Sequence, residues 1–309
     1  MNKLLVTAAP HIKTRMTTTH IMLDVIIALV PALIAATVAF GWRAPVVVAV
    51  CVAACVISEW VYEKAMKKEN TVRDLSAVVT GILLAYNLPV TIPIWQAVFG
   101  SFVAIILVKQ LFGGIGKNFA NPAITARIVM FLAFSASMTR FIAPQTAYDA
   151  VSTATPLALL STGRVSQLPA IKDFLIGTRA GTLGETGVIA LLLGGIYLLV
   201  RKVITWHTPA CFVATVFILT AIMGKEPVYQ LLSGGLIIGA FFMATDYVTT
   251  PQTSLGRVIF GVGAGVLTVL IRLYGSYPEG VSFAILLMNI LTPFINRATM
   301  HKPFGGVKA

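Results

Sequence analysis

The chain has 309 residues, of which 57% are hydrophobic and only 11% charged, with a mean hydropathy of +0.89. That balance lies far outside the range of soluble globular domains and identifies an integral membrane protein. The net charge of +12 comes from 23 Lys and Arg against 11 Asp and Glu. No basic soluble face accompanies it, so no nucleic acid partner is expected.

The weak period-2 alternation of a membrane barrel is absent. A backbone in hydrocarbon must satisfy its own hydrogen bonds, so the expected fold class is all-α. With about 20 apolar residues per crossing, ten spans are predicted in chain order: 21–40, 44–62, 72–88, 93–112, 120–138, 184–200, 206–223, 228–245, 254–274 and 279–296. Several are short for a full crossing. The third, fifth and eighth contain or end in Pro, Asn, Asp and Thr, the composition of discontinuous helices that line a site. The first apolar run is long and no clear cleavage site follows it, so residues 1–40 are read as a retained helix.

With the N-terminus inside, the inner segments hold 16 of the 23 Lys and Arg, Lys109 and Arg127 among them, and the outer ones 7, including Arg179 and Arg272. Retention of basic residues on the inner side therefore places both termini in the cytoplasm. Trp42, Trp60, Trp95 and Trp206 fall at span ends, as an interfacial aromatic belt requires. Cys51, Cys55 and Cys211 lie inside spans. Cys51 and Cys55 share a helix face, so a metal or cluster pair is conceivable, but small apolar packing is the favoured reading.

One segment, 139–183, breaks the alternation of spans and short loops and falls outside by the topology count. Loops of this length in compact architectures are usually functional. A weak internal repeat flanks it: "LLAYNLPVT" (83–91) lies over "FMATDYVTT" (242–250), pairing Asn87 with Asp246 and Thr91 with Thr250. Five spans per unit is an odd number, so the halves must be inverted, with a site at the midplane between them. The expected organisation is a single membrane domain, 1–309, with a first repeat at 1–138, the outer loop at 139–183 and a second repeat at 184–309.

Several chemistries are excluded. His11, His20, His207 and His301 all lie at or beyond span ends, so no facing pair exists to ligate a haem. "GGIGKN" (113–118) departs from a phosphate loop, with Leu111 where Gly belongs and Asn118 where Ser or Thr belongs. In "GGIGKNFANPA" (113–123) the glycines allow close approach to a flat ligand. Asn118 and Asn121 can present amides to an isoalloxazine edge on one side of a helix start; a re-entrant turn with a helix cap is the equal alternative.

Asp24 and Asp246 fall within or at the end of apolar spans, where charge is costly and often functional. Thr249 and Thr250 follow Asp246 with oxygens suited to a hard cation such as Na⁺, so both aspartates are candidates for an ion pathway; a helix-end hydrogen-bond network is the alternative. Glu59, Glu185, Glu226 and Glu279 are read as interface residues at span ends.

"DAVSTATPLAL" (149–159) concentrates Asp149, Ser152, Thr153 and Thr155 in the outer loop. It has no G-x-S-x-G elbow and no nearby histidine, so a hydrolytic triad is not expected. Two readings stay open on the residues alone. One is a hydroxyl-rich turn that starts a helix at Pro156; the other is a hydroxyl that anchors a phosphorylated cofactor, with Ala150 and Ala154 leaving room for its ring.

"DAVSTATPLALL" resembles the S-x-A-T flavinylation motif of the family shared by the D subunit of the Rnf electron-transport complex and the B subunit of the Na⁺-translocating NADH:quinone reductase. "GTLGETGVIALLLGGIYLL" (181–199), "GAFFMATDYVTTPQT" (239–253), "YPEGVSFAILLMN" (277–289) and "GGIGKNFANPA" extend the resemblance over residues 20–297. It implies a covalent FMN, held as a phosphoester on Thr155, with Ser152, Thr153 and Ala154 as its surroundings and Asp149 as loop organiser. It also implies a riboflavin near Asn118 and Asn121, and a fold of ten helices in two inverted five-helix repeats, similar to urea transporters. The short N-terminus before the first span favours the Rnf branch over the longer reductase protein.

The function implied is that of a flavoprotein subunit in the bacterial cytoplasmic (inner) membrane. Electrons would pass between the outer flavin and partner subunits, coupled to Na⁺ or H⁺ movement, while the complete complex oxidises reduced ferredoxin and reduces NAD⁺, or runs in reverse. The implied partners are the membrane proteins RnfA and RnfE, the flavoprotein RnfG and the soluble RnfB and RnfC. No metal site and no complete active site are expected on this chain. A urea-transporter-like channel without redox function is the competing reading.

Overall fold

The computed structural model describes residues 17–142, 144, 154–185, 187–275 and 279–300. The expectations placed on Asp149, Ser152 and Thr153 lie outside these residues. Helices dominate, and no strand occurs among the described residues.

Among the described residues, four helices are long and apolar enough to cross a bilayer: α1 (Thr18–Phe40), α2 (Arg43–Ala65), and two near the C-terminus, Ser254–Tyr274 and Val281–Thr299. Between them lie shorter elements. α3 (Ser76–Tyr86) ends at a turn through Asn87 and Pro89; α4 (Ile94–Phe102) continues as a π-helical run, Val103–Gln110; α5 (Pro122–Ala133) is followed by the short α6 (Ser135–Met138). The segment 139–183 contributes α7 (Pro156–Ser161) and α8 (Ile171–Ile176). The second half then runs through α9 (Val188–Val200), α10 (His207–Ile222), α11 (Pro227–Leu232) and α12 (Leu236–Ile238), the last passing into a π-helical turn, Gly239–Met243. Ser254–Tyr274 is α13 and Val281–Thr299 is α14.

The sequence rules for helix ends operate here without exception at the sites that matter. Asn121 caps α5 by accepting from the N–H groups of Ala123 and Ile124 at 3.0 and 3.3 Å, with Pro122 at the first helical position. Thr155 and Pro156 do the same for α7. The eighth expected span is indeed broken: Gly234 and Gly235 take positive φ (+68° and +65°) between α11 and α12, a conformation that L side chains rarely adopt.

Packing follows a recurrent scheme. Within the first half, α2 lies against α3 and α4; within the second, α10 lies against α13, and α13 against α14. The halves meet where α1 packs on α9 and α5 on α14. The α1–α9 crossing is tight because Gly194 faces the Ala28 backbone, where an added Cβ would fall onto the Ala28 carbonyl oxygen. The α10–α13 crossing uses Gly261 in the same way, 2.8 Å from Cβ position to the Thr208 carbonyl oxygen. Without a hydrophobic force between helices in lipid, such close approach supplies the dispersion and polar contacts that hold them together. Cys51 and Cys55 are fully buried.

The end of the segment that follows α8 is not a surface loop. Residues 179–185 are buried, and the N–H groups of Leu183 and Gly184 donate to the carbonyls of Leu88 (3.0 Å) and Tyr86 (2.7 Å). The physical reason is local: α3 stops inside the structure, so the carbonyls at its end need donors, and this segment supplies them.

Gly194→Ala should lower stability by about 1–3 kcal/mol through overpacking, seen as a lower melting temperature of detergent-solubilised protein.

Candidate functional site

A cavity of about 420 Å³ lies between the halves, within the range of small-molecule sites. Its walls come from α1 (Thr18, Met22, Val25), α3 (Val79, Thr80, Leu83), the glycine turn (Ile115, Gly116, Asn118, Asn121), the second π-helical turn (Phe242) and the segment after it (Asp246, Tyr247). Asn118, Asn121 and Asp246, singled out separately in the sequence, are thus brought to one cavity. Asn121 spends its side-chain oxygen on capping α5. Asn118 Oδ1 is buried and has no partner among the described residues, leaving a free acceptor.

Asp246 organises the turn it begins, accepting from Val248 N at 3.5 Å and from the Thr249 hydroxyl at 3.3 Å. Thr250 points elsewhere, donating to the Ala244 carbonyl at 2.9 Å. No cation pairs with Asp246 among the described ion pairs. A second, smaller cavity of about 180 Å³, lined by Thr205, Thr208, Thr250, Gln252 and Arg257, shares Asp246 with the first. Asp24 is placed differently: it binds Arg201 at 3.2 Å and the Tyr197 hydroxyl at 2.9 Å. Those contacts clamp α1 to α9.

On the other side of the molecule, Thr155 is nearly buried and its Oγ1 accepts from Ala158 N at 3.3 Å. Ala154 precedes it in exposed, irregular chain. Leu157, in the first turn of α7, seats against Gly234 in the break between α11 and α12, and Arg272 Nη2 reaches the same point.

The charged residues there contradict the surface reading of the sequence. Arg179 and Arg272 are buried (3% and 5% exposed), as are Glu185 (4%) and, in the first half, Glu59, Lys109 and Arg127. Arg179 donates through Nη2 to the carbonyls of Glu185 and Leu232 at 3.0 and 2.6 Å. Arg272 donates to the carbonyls of Gln230 (2.6 Å) and Ser233 (2.9 Å). Arg127 binds Glu279, the Ser282 hydroxyl and the Asn87 carbonyl, joining α5 to α14. In the first half Glu59 accepts from Lys109 Nζ at 2.7 Å and Gln110 Nε2 at 2.8 Å, with Lys109 also on Ser76 Oγ.

Except for Arg127, which lies within the expected fifth span, these groups stand near expected span ends in the sequence, where a charge ordinarily faces water; what turns them inward is the demand of a broken helix or an opposite charge. Four of the basic residues used for the topology count are therefore structural, two from each side, and the inner excess stands without them.

A family model described as the NQR2, RnfD, RnfE family matches residues 5–305. The chain belongs to this family. Among its relatives, the D subunit of the Na(+)-translocating ferredoxin:NAD(+) oxidoreductase complex of Acetobacterium woodii is 46% identical, over 99% of this chain and 96% of that protein. The D subunit of the proton-translocating ferredoxin:NAD(+) oxidoreductase complex of Clostridium ljungdahlii is 41% identical over 97% of this chain and 96% of its own length. That of an ion-translocating oxidoreductase complex from Alcanivorax borkumensis is 36% identical over 98% and 97%. The family resemblance read from the motifs is borne out across almost the whole chain, and these relatives belong to its Rnf branch.

For this family member, the Arg127–Glu279 pair is the joint between halves that a single substitution should break. Arg127→Met should destabilise by about 3–5 kcal/mol because it strands a buried carboxylate. The Arg127→Met/Glu279→Met double variant should recover much of that loss, as measured by thermal unfolding in detergent.

Proposed function

We propose that this chain is the membrane flavoprotein subunit of an ion-translocating ferredoxin:NAD⁺ oxidoreductase, with FMN held as a phosphoester on Thr155. The observation that carries the proposal is the placement of Thr155: a nearly buried residue at the head of α7, docked on the loop where Arg179 and Arg272 keep N–H groups without partners among the described residues. That donor set fits a phosphorylated group. The names of the relatives, all D subunits of oxidoreductase complexes, support the assignment of activity.

The architecture proposed is ten crossings in two inverted repeats, 1–138 and 184–309, joined by the outer segment 139–183. It accords with the matched pairings of α2 with α4 and α10 with α13. It accords also with two joints between the halves, α1 on α9 and α5 on α14, each held by an arginine–carboxylate pair. Both termini then face the cytoplasm of a bacterial inner membrane, and α7 the outer side. RnfA, RnfE, RnfG, RnfB and RnfC are the proposed partners in the complex.

A riboflavin is assigned to the larger cavity. Asn118 Oδ1 supplies a buried acceptor for a ring N–H, and Gly116 leaves space for a flat ligand. When bound, the flavins supply the electron-carrying chemistry. The chain's own residues anchor one flavin at Thr155, orient the other through Asn118, and exclude water with apolar walls such as Val79, Leu83 and Phe242. Asp246, shared by both cavities, is the proposed ligand of the coupling cation. Relatives of similar identity are named for Na⁺ and for protons, so local oxygen groups of this kind, rather than overall similarity, decide the ion.

The test is direct. Co-expressed with a flavin transferase, washed and denatured, the protein should give a fluorescent band on electrophoresis, and the peptide spanning Asp149–Arg164 should carry the mass of FMN less water. Thr155→Val should abolish both; a dark wild-type band would sink the proposal and favour a channel without redox function. Separately, Asp246→Asn should slow Na⁺-dependent turnover of the assembled complex while the covalent flavin remains; an unchanged Na⁺ response would remove Asp246 from the pathway.

A further inference from the structure

We propose that Arg179, Arg272 and Ser233 form a buried oxyanion cradle that holds the phosphodiester of the Thr155-linked flavin, an inference that rests on the Thr155 assignment above. Both guanidiniums reach the same short stretch, Gln230–Ser233, from different elements: Arg272 from the last turn of α13, Arg179 from the segment before α9. Neither is exhausted by that stretch. Arg179 Nε and Nη1 and Arg272 Nε are buried without partners among the described residues, and so is the hydroxyl of Ser233, whose residue is fully buried. Four donors from three side chains thus share one region with no acceptor assigned to them. A buried donor left unmade keeps the full cost of its desolvation, so a cluster of four points to an acceptor-rich group rather than to chance.

Charge gives the same indication. The buried group comprises Arg127, Arg179 and Arg272 against Glu185 and Glu279, with Arg179 and Arg272 each within electrostatic reach of both carboxylates. One positive charge is left over. A phosphodiester carries a single negative charge and several acceptor oxygens, and planar guanidinium groups bind such oxygens well. The position is right as well: Leu157, two residues beyond Thr155, meets Gly234, beside Ser233 and Arg272 Nη2. Glycine at 234 is required there, since φ is +68° and a Cβ would collide with Leu157. Phe174 supports Arg179 from the other side, with its ring centroid 4.6 Å from the guanidinium carbon.

The internal rival is Glu185. Its Oε1 is also buried without a partner and lies near Gly235, so the carboxylate could be the acceptor that the arginines serve. Two substitutions separate the cases. Ser233→Ala removes only an unpartnered hydroxyl and keeps the arginine bonds to the 230–233 carbonyls; Arg272→Gln removes a charge and a donor. Flavin fluorescence anisotropy of the detergent-solubilised, flavin-loaded protein is the readout, with the signal of Thr155→Val subtracted to remove non-covalent flavin. It reports only loaded chains, so partial loading does not alter it.

The wild type should hold its flavin rigidly. Arg272→Gln should lower the anisotropy about twofold through loss of charge-assisted bonds, and Ser233→Ala should lower it in the same direction by less. Glu185→Gln should leave it unchanged. Equal anisotropy in wild type, Ser233→Ala and Arg272→Gln would overturn the cradle while leaving the Thr155 assignment intact; where Arg272→Gln does not fold, Ser233→Ala alone decides. A loss of anisotropy in Glu185→Gln with none in Ser233→Ala would assign the arginines to the carboxylate and likewise overturn it. A wild-type protein without covalent flavin would sink the Thr155 assignment itself, and the cradle with it.

Discussion

A helix that stops inside an apolar structure leaves carbonyl groups with no water to bind, and much of this architecture follows from that single demand. α3 ends at Tyr86, and its open carbonyls are met by the N–H groups of Leu183 and Gly184 and by Arg127 on Asn87. α11 ends at Leu232, and its carbonyls are met by Arg179 and Arg272. The donors come from far along the chain in every case, so satisfying a local defect enforces a long-range fold. Arginine suits the task because one of its nitrogens can cap a carbonyl while the others stay available.

The same breaks make room for chemistry. Where a helix continues, its side chains fill the space around it; where it stops, a cavity or an irregular turn takes over. The larger cavity sits against the glycine turn before α5 and the segment after the second π-helical turn, and the buried arginines sit at the break between α11 and α12. Joints of opposite charge then hold the halves together beside these openings. Asp24 with Arg201 is half-exposed on its arginine side, whereas Arg127 with Glu279 is largely buried, so the second joint is the more sensitive to loss of one partner.

Much of this was legible beforehand, and the failures share a cause. The long apolar runs of α1, α2, α13 and α14, the caps at Asn121 and Thr155, and the broken eighth segment all follow from local rules of composition and capping. The convergence of Asn118, Asn121 and Asp246 on one cavity was not legible, because each carries only its own local signal and the internal repeat pairs Asp246 with Asn87. What local rules missed were the inward charges: Glu59, Lys109, Arg179, Glu185 and Arg272 stand near span ends, where water is the default partner, and Arg127 lies within the fifth span. Their true partners are carbonyls or charges 40 or more residues away in most cases, as with Arg272 and Gln230. The buried Ser233 hydroxyl carries no sequence signal at all, and its isolation emerges only once the chain around it is folded.

The π-helical run Val103–Gln110 limits how this segment can change in length. Its wider turn, with Leu111 N bonded to the carbonyl of Ile106 at 3.0 Å, absorbs one residue more than an α-helix would over the same stretch. Val108, Lys109 and Gln110 are consecutively buried. Deleting a single residue here would restore α-helical winding with the flanking register nearly kept, whereas inserting one more before Lys109 would rotate everything that follows by about 100° about the helix axis. Lys109 would then swing away from Glu59, and the glycine turn would leave the cavity wall. An apolar stretch that tolerates many exchanges of one aliphatic side chain for another is, in this respect, intolerant of any further residue.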